Sequence, residues 1–298
     1  MTWQLRLLNA QLRLIAKPRI HRTATPQDAA KAVERACLLA AQPPFLRFIE
    51  RPGGLCWISC GPCAPRRVLL YFHGGGFVSG SPWTHRGMLG RLSLEADIEV
   101  CAARYPLLQD APFPAQFDTA EAAWVRLRAL GYEPEHVVLG GDSAGGGLAL
   151  ALLSALCLRG EAPAGAVVFS PWTDLALTGE SLRVNAHSDP LLPPGRIGEL
   201  AEMFLADADP RNPRASALYG EYPGCPPVWV SWGETEILRD DCSRMADRLR
   251  AFGARVETEV HPTAPHVWPL FHGWVPEGDA TLRRAGRFVH ESLAAINR

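Results

Sequence analysis

Ser143 stands in the run Gly141-Asp142-Ser143-Ala144-Gly145, after the short apolar run Val137-Val138-Leu139 and before a long run of helix formers, Leu148 to Leu158. A strand that turns at once into a helix holds its turn residue in a strained conformation, and small neighbours two positions to either side let the chain close without clash. Such a turn presents a hydroxyl at the carboxyl end of a strand and at the positive end of a helix dipole. The chemistry it suits is nucleophilic attack on a carbonyl carbon. The same run also fits a glycine-rich turn that only packs tightly, so the partners of a nucleophile have to be found elsewhere.

Upstream lies Tyr71-Phe72-His73-Gly74-Gly75-Gly76-Phe77, directly after another apolar run. Three consecutive glycines leave backbone amides bare, and amides aimed into a cavity stabilise a negative oxygen. No Lys-Ser/Thr pair follows them, which excludes a nucleotide P-loop. A serine nucleophile also needs a base, and the base an orienting acid. Of the nine histidines, His73 belongs to the glycine loop. His85, His136, His187 and His290 precede helices or strands and read as surface or capping residues. His261, His266 and His272 follow the last predicted strand; His266 fits best, in a loop that Pro265 restricts, with His261 second. The acid should follow the strand Val228–Trp232, in Gly233-Glu234-Thr235-Glu236-Ile237-Leu238-Arg239-Asp240-Asp241.

These residues need a scaffold, and the remaining pattern supplies one. Strands are predicted at Leu55–Ser59, Arg67–Phe72, Ile98–Ala103, Gly165–Ser170, Val228–Trp232 and Arg255–Val260, besides the run before Ser143. Strands alternating with helices imply an α/β fold with a doubly wound, mainly parallel sheet. Trp3, Leu7, Leu8, Leu12 and Ile15 recur at helical spacing. That stripe fits a helix packed on the body, one covering a site, or one lying on a membrane surface. A second helix begins at Thr25-Pro26-Gln27-Asp28, with a cap, a proline in the first turn and an acid, and should end at Pro43-Pro44. Residues 178–215 break the alternation with five prolines around a helical stretch, Ile197–Leu205. Residues 277–296 read as a closing amphipathic helix.

Composition narrows the function. A length of 298 residues suits one α/β domain, 1–298. A net charge of −1 argues against nucleic acid and for a small, roughly neutral substrate. No stretch approaches a transmembrane span, so no stable membrane insertion is expected, and basic residues interrupt the N-terminal apolar runs that a signal peptide would need. The eight cysteines are irregularly spaced; Cys56, Cys60 and Cys63 lack a fourth ligand at a suitable spacing, so no metal is expected. Free cysteines in such number suit the cytoplasm. A homodimer stays open.

Taken together, the pieces resemble the hormone-sensitive-lipase family of α/β-hydrolase carboxylesterases, also called bacterial family IV. They are His73-Gly74-Gly75-Gly76, Tyr105 with Ala111-Pro112-Phe113-Pro114-Ala115, and Gly141-Asp142-Ser143-Ala144-Gly145-Gly146. Ser170-Pro171-Trp172-Thr173-Asp174-Leu175, Pro226-Pro227 and His266-Val267-Trp268 complete them. Pro106-Leu107-Leu108-Gln109-Asp110 departs from the family's usual Arg-Leu-Ala-Pro-Glu, which bears on loop packing. The family carries aspartate three residues after the glycine that follows the strand; here that position holds Glu236, with Asp240 and Asp241 left to cap the next helix. The resemblance implies a triad of Ser143, Glu236 and His266, an oxyanion hole from the amides of Gly74, Gly75 and Ala144, and His73, Gly76 and Asp142 as supporting residues of the loops. It implies a small-molecule ester as substrate and no cofactor. It also implies a cap over the site, formed by about 1–45 and 178–215. Amide hydrolysis or deacetylation would use the same triad, and a binding protein of this fold would not need one.

Overall fold

A computed structural model describes residues 1–294. The β-branched and leucine-rich runs become eight strands: β1 (Arg47–Arg51), β2 (Leu55–Ser59), β3 (Val68–Phe72), β4 (Glu99–Ala103), β5 (Val137–Asp142), β6 (Gly165–Phe169), β7 (Val228–Gly233) and β8 (Val256–His261). They form one sheet in the order β1-β2-β4-β3-β5-β6-β7-β8. β2 pairs antiparallel with both β1 and β4, and every later pairing is parallel. The helices are α1 (Trp3–Gln11), α2 (Lys17–Arg22), α3 (Pro26–Cys37), α4 (Pro82–Ala96), α5 (Ala115–Ala129), α6 (Ser143–Arg159), α7 (Ser181–Val184), α8 (Pro194–Leu205), α9 (Arg239–Ala251) and α10 (Pro276–Ala294).

Every residue of β3, β5 and β6 is buried, because helices cover both faces of the sheet. The period of two divides their side chains between two cores. Val68, Leu70 and Phe72 face α5, α6 and α9, while Leu69 and Tyr71 face Met88 and Leu92 of α4 and Phe288 and Val289 of α10. The connection from β3 leads to β4 on one side, and β5 lies on the other. The carboxyl ends of β3 and β5 therefore flank a crevice, the usual ligand position in open α/β sheets.

The seven strands expected from sequence are present, with ends that shift by a few residues. β1 was not expected. Its sequence, Arg-Phe-Ile-Glu-Arg, is largely exposed and pairs only with β2, so it lacks the apolar pattern of an internal strand. α3 starts as expected, with the Thr25 side chain accepting from the Asp28 amide, but ends at Cys37 rather than Pro43-Pro44. Past it the chain crosses α4 at Gly87 and Gly90, where a Cβ would collide with Ala41 and Leu46. The closing helix is described to Ala294; residues 295 and 296 lie outside the described residues.

The N-terminal stripe is turned relative to expectation. Leu5 and Leu12 are buried, while Trp3, Leu7 and Ile15 face outward. α1 is tied to the body by Asn9 Nδ2, which donates to Thr263 O (2.8 Å), and by Thr2 Oγ1, which donates to Glu277 (2.9 Å). Lys17 then donates to the carbonyls of Ala186 and Asp189, and Arg196 of α8 to Thr23 O, so the N-terminal segment meets the 178–215 insertion. Among the described residues, no helix is long and apolar enough to cross a membrane.

Candidate active site

Ser143 opens α6 with φ at +51°, the left-handed region that side chains rarely adopt. The turn closes only because its flanks are small. A Cβ on Gly141 would fall on Gly145 O, and one on Gly145 would fall on the carbonyls of Phe72 and His73. The strained turn leaves Ser143 half-buried at the crevice mouth while its neighbours are buried. Its Oγ lies 2.8 Å from Nε2 of His266.

His266 sits on the loop after β8, followed by Val267 at φ +49°. Its Nδ1 lies 2.7 Å from Oε2 of Glu236. An ionised carboxylate only accepts, so Nδ1 carries the hydrogen and Nε2 is left to accept from Ser143. Glu236, wholly buried, follows β7. Its Oε1 accepts from the Gly233 amide (2.6 Å) and from Ser170 Oγ (2.8 Å). Burial works against charge on His266, but the hydrogen bond and charge of Glu236 outweigh it, leaving the imidazole above the ordinary histidine value. A hydroxyl in line with such an imidazole and carboxylate can lose its proton as it attacks an electrophile.

The glycine loop after β3 faces this line. The amide of Gly74 donates to Asp142 Oδ1 (3.0 Å), and Gly74 is buried. Gly75 and Gly76 are half-buried, and no hydrogen bond among the described residues engages their amides. The amide of Ala144 lies in the first turn of α6, where no intrahelical acceptor exists. Insertion helix α8 leans on the loop: Phe204 stacks on Phe77 at 4.0 Å between ring centres, and a Cβ on Gly76 would touch Leu200.

A family model for the alpha/beta hydrolase fold matches residues 69–270. An acetyl-hydrolase of Streptomyces hygroscopicus is 40% identical over 224 residues, covering 75% of each chain. An esterase of Acinetobacter venetianus is 32% identical over 225 residues, covering 75% of this chain and 74% of its own. A crystal structure of an esterase from the bacterial hormone-sensitive lipase family superposes with a TM-score of 0.92 at 35% identity, over 98% of this chain and 99% of that one. The chain belongs to the hormone-sensitive-lipase family of α/β-hydrolases. It is a carboxylic ester hydrolase of the serine type.

In this family member the structure brings together Ser143, Glu236 and His266 as the sequence implied, but it corrects other assignments. Gly74 cannot donate to an oxyanion while Asp142 holds its amide; the free amides belong to Gly75 and Gly76. Asp240 and Asp241 do not cap α9, which has no side-chain cap. Their carboxylates reach away to other segments, Asp240 accepting from the amide of Ser181 at the start of α7 (2.8 Å) and Asp241 from the amides of Thr173 and Asp174 (both 2.8 Å). His261 does not face Ser143; its Nδ1 accepts from the amides of Thr263 and Ala264 and so shapes the loop that carries His266.

His85 is not a surface residue of this hydrolase. It is buried, with Nε2 3.3 Å from Asp142 Oδ2. Burial opposes its charge, but Asp142 more than compensates and His85 lies above the ordinary histidine value. Burial also tends to raise Asp142, yet His85 and the Tyr71 hydroxyl (2.9 Å) hold it below the usual carboxylate range. His73 differs: burial and the nearby His85 push it down to about 3, so its Nδ1–H donates to Gly74 O (2.9 Å) from a neutral ring that Tyr105 stacks on at 4.2 Å. The divergent segment Pro106–Asp110 also serves the loop, since the Leu108 amide donates to Phe77 O (2.7 Å) and Gln109 Nε2 to Val78 O (3.2 Å). Ser170, at the end of β6 with φ +46°, escaped the sequence reading. Its hydroxyl donates to Glu236 and accepts from the Val267 amide (3.2 Å), joining acid to base loop. The signal for it was the Ser-Pro-Trp at a strand end.

Proposed function

We propose that Ser143, His266 and Glu236 form the catalytic triad of this esterase and that its substrates are esters of small to medium acyl groups. The observation that carries this is the unbroken line Ser143 Oγ–His266–Glu236, at 2.8 and 2.7 Å, beside two uncommitted glycine amides. Ser143 attacks the ester carbonyl while His266 Nε2 takes its proton. Amides of Gly75, Gly76 and Ala144 receive the oxyanion. The tetrahedral intermediate collapses, the proton passes from His266 to the leaving alcohol, and an acyl-Ser143 remains. Water, deprotonated by His266, attacks the acyl group, and the carboxylic acid leaves as Ser143 regains its proton. Glu236 holds the imidazole and balances its transient charge.

Residues of about 1–45 and 178–215 would cap the crevice, a reading supported by the contacts of α8 with the glycine loop and of Thr23 with Arg196. The acetyl-hydrolase named above supports a short acyl group. Eight unpaired cysteines support a cytoplasmic location.

The test is a series of aryl esters of increasing acyl length beside the matching aryl amide, with Ser143→Ala as control. Expected are a burst of aryl alcohol close to one per enzyme, rates that fall beyond medium chain lengths, and no burst from Ser143→Ala. Activity retained in Ser143→Ala would refute the nucleophile, and an amide cleaved as fast as its ester would move the reading to an amidase.

A further inference from the structure

We propose that the outward face of α1 and the turn after it docks this protein on an anionic lipid surface. α1 is apolar on two opposite faces. Leu5 and Leu12 are buried against the body. On a helix of about 100° per residue, Trp3, Leu7, Ala10 and Leu14 form a second stripe about 180° away. Trp3 is 69% exposed, Leu7 51% and Leu14 78%. The π turn Leu12–Ala16 that follows leaves Ile15 exposed as well. A helix that presents a continuous apolar stripe to water, after already burying one against its own protein, has a second surface to cover.

The border of the stripe identifies what covers it. Arg6 and Arg13 lie along one side of it, Arg13 also donating to Ser188 O, and Arg19 and Arg22 follow, while the ammonium of Lys17, between Arg13 and Arg19, is turned to the carbonyls of Ala186 and Asp189. The first 27 residues hold these five basic residues and no Asp or Glu, although the chain as a whole carries −1. The positive charge is therefore segregated onto the segment that carries the exposed stripe. Trp and Leu on one face with Arg beside them is the pattern of a helix lying in the headgroup region of an anionic bilayer. A two-fold contact between copies would instead set two such basic segments face to face. Other exposed apolar side chains lie nearby: Trp274 stands just before α10, whose first-turn Glu277 holds Thr2, and Leu38 and Leu39 precede Ala41, which touches Gly273. α1 is also fixed to Thr263, on the loop of His266, so a docked α1 would bring the site close to the lipid.

The experiment is flotation of the full chain with vesicles of phosphatidylcholine alone and of phosphatidylcholine with phosphatidylglycerol, at low and high salt. It compares wild type with Trp3→Gln/Leu7→Gln/Leu14→Gln, all at outward positions. Wild type is expected to float with the anionic vesicles, less so at high salt, and the triple variant to bind at least about tenfold more weakly. Hydrolysis of a short, water-soluble aryl ester should stay within about twofold of wild type, since these side chains face away from the protein. If circular dichroism shows the triple variant unfolded, Leu14→Gln alone should still lower vesicle binding, by about threefold. Absence of wild-type binding to either vesicle, or equal binding by the variants, overturns the proposal. So does a dimer in sedimentation equilibrium that the variant dissociates without any vesicle binding, which would make a second copy the occupant.

Discussion

Glu236→Gln tests the triad with the least change of shape, and the structure determines which way the new amide must point. Glu236 Oε1 accepts from two donors, the Gly233 amide and the Ser170 hydroxyl, at 2.6 and 2.8 Å. In the variant only the amide oxygen can fill that place, so the NH2 group is turned toward His266. There it meets Nδ1, 2.7 Å away in the parent, and two donors cannot face each other. The imidazole therefore adopts the other tautomer, with Nδ1 accepting and Nε2 carrying the hydrogen. Nε2 then points a proton at Ser143 and cannot remove one. A tautomer error of this kind lowers turnover by about four orders of magnitude, roughly 5 kcal/mol in the barrier. Folding should be little affected, because the donors of Gly233 and Ser170 keep their acceptor. The assay is kcat for one short-chain aryl ester, with a thermal melt as the folding control. Asp240→Asn is the matched comparison: Asp240 binds the Ser181 amide and Arg239, so its loss should change kcat by no more than about twofold. A dead Asp240→Asn beside an active Glu236→Gln would refute the reasoning.

Three further outcomes follow from the same geometry. Because only neutral His266 accepts a proton and Glu236 raises its pKa, kcat/KM should fall as pH drops through a midpoint above 6.5; a midpoint below 6.5 in the pH–rate profile contradicts the pairing. Gly75→Ala should lower kcat by about 100-fold, with some loss of stability, since φ is +121° and the added Cβ would strike Ser79 O; near-normal kcat would move the oxyanion donors elsewhere. His85→Gln leaves a buried Asp142 carboxylate without its counter-ion and should destabilise by about 3 kcal/mol in urea unfolding near neutral pH. That advantage of wild type should fade as pH rises through the raised His85 value and as it falls through the lowered Asp142 value, and equal stabilities at every pH would refute the ion pair.

What could be read from sequence follows the range of the interactions involved. The elbow at Ser143 is set by local sterics, so Gly141 and Gly145 announce it. His266 is visible because a proline-bounded loop after the last strand leaves few alternatives. The choice between Gly74 and Gly76 is different in kind. It depends on which amide the Asp142 carboxylate reaches from the neighbouring strand, a contact that no local pattern records. Asp240 and Asp241 show the same failure: they stand in the first turn of a helix, where capping is the local expectation, and tertiary partners took them instead. The spacing in α1 is helical in both readings, but a period cannot say which of two apolar faces turns inward. β1 was missed because an edge strand has no need of an apolar alternation.

The proposed catalytic parts do not share equally in the sheet. Ser143 and the glycine loop grow from β5 and β3, whose residues are all buried, whereas His266 follows β8, an edge strand paired only with β7 and exposed along much of its length. Edges of this sort open before the centre does. The first event on heating should therefore be a partial release of the base loop, with the nucleophile still in place. Inactivation would precede global melting and would reverse on cooling for as long as the centre of the sheet holds. A core substitution that raised the melting temperature would then leave the working temperature where it was. The place to gain heat tolerance is the outer edge, at β8 and at the Asn9–Thr263 bond that ties its loop to α1.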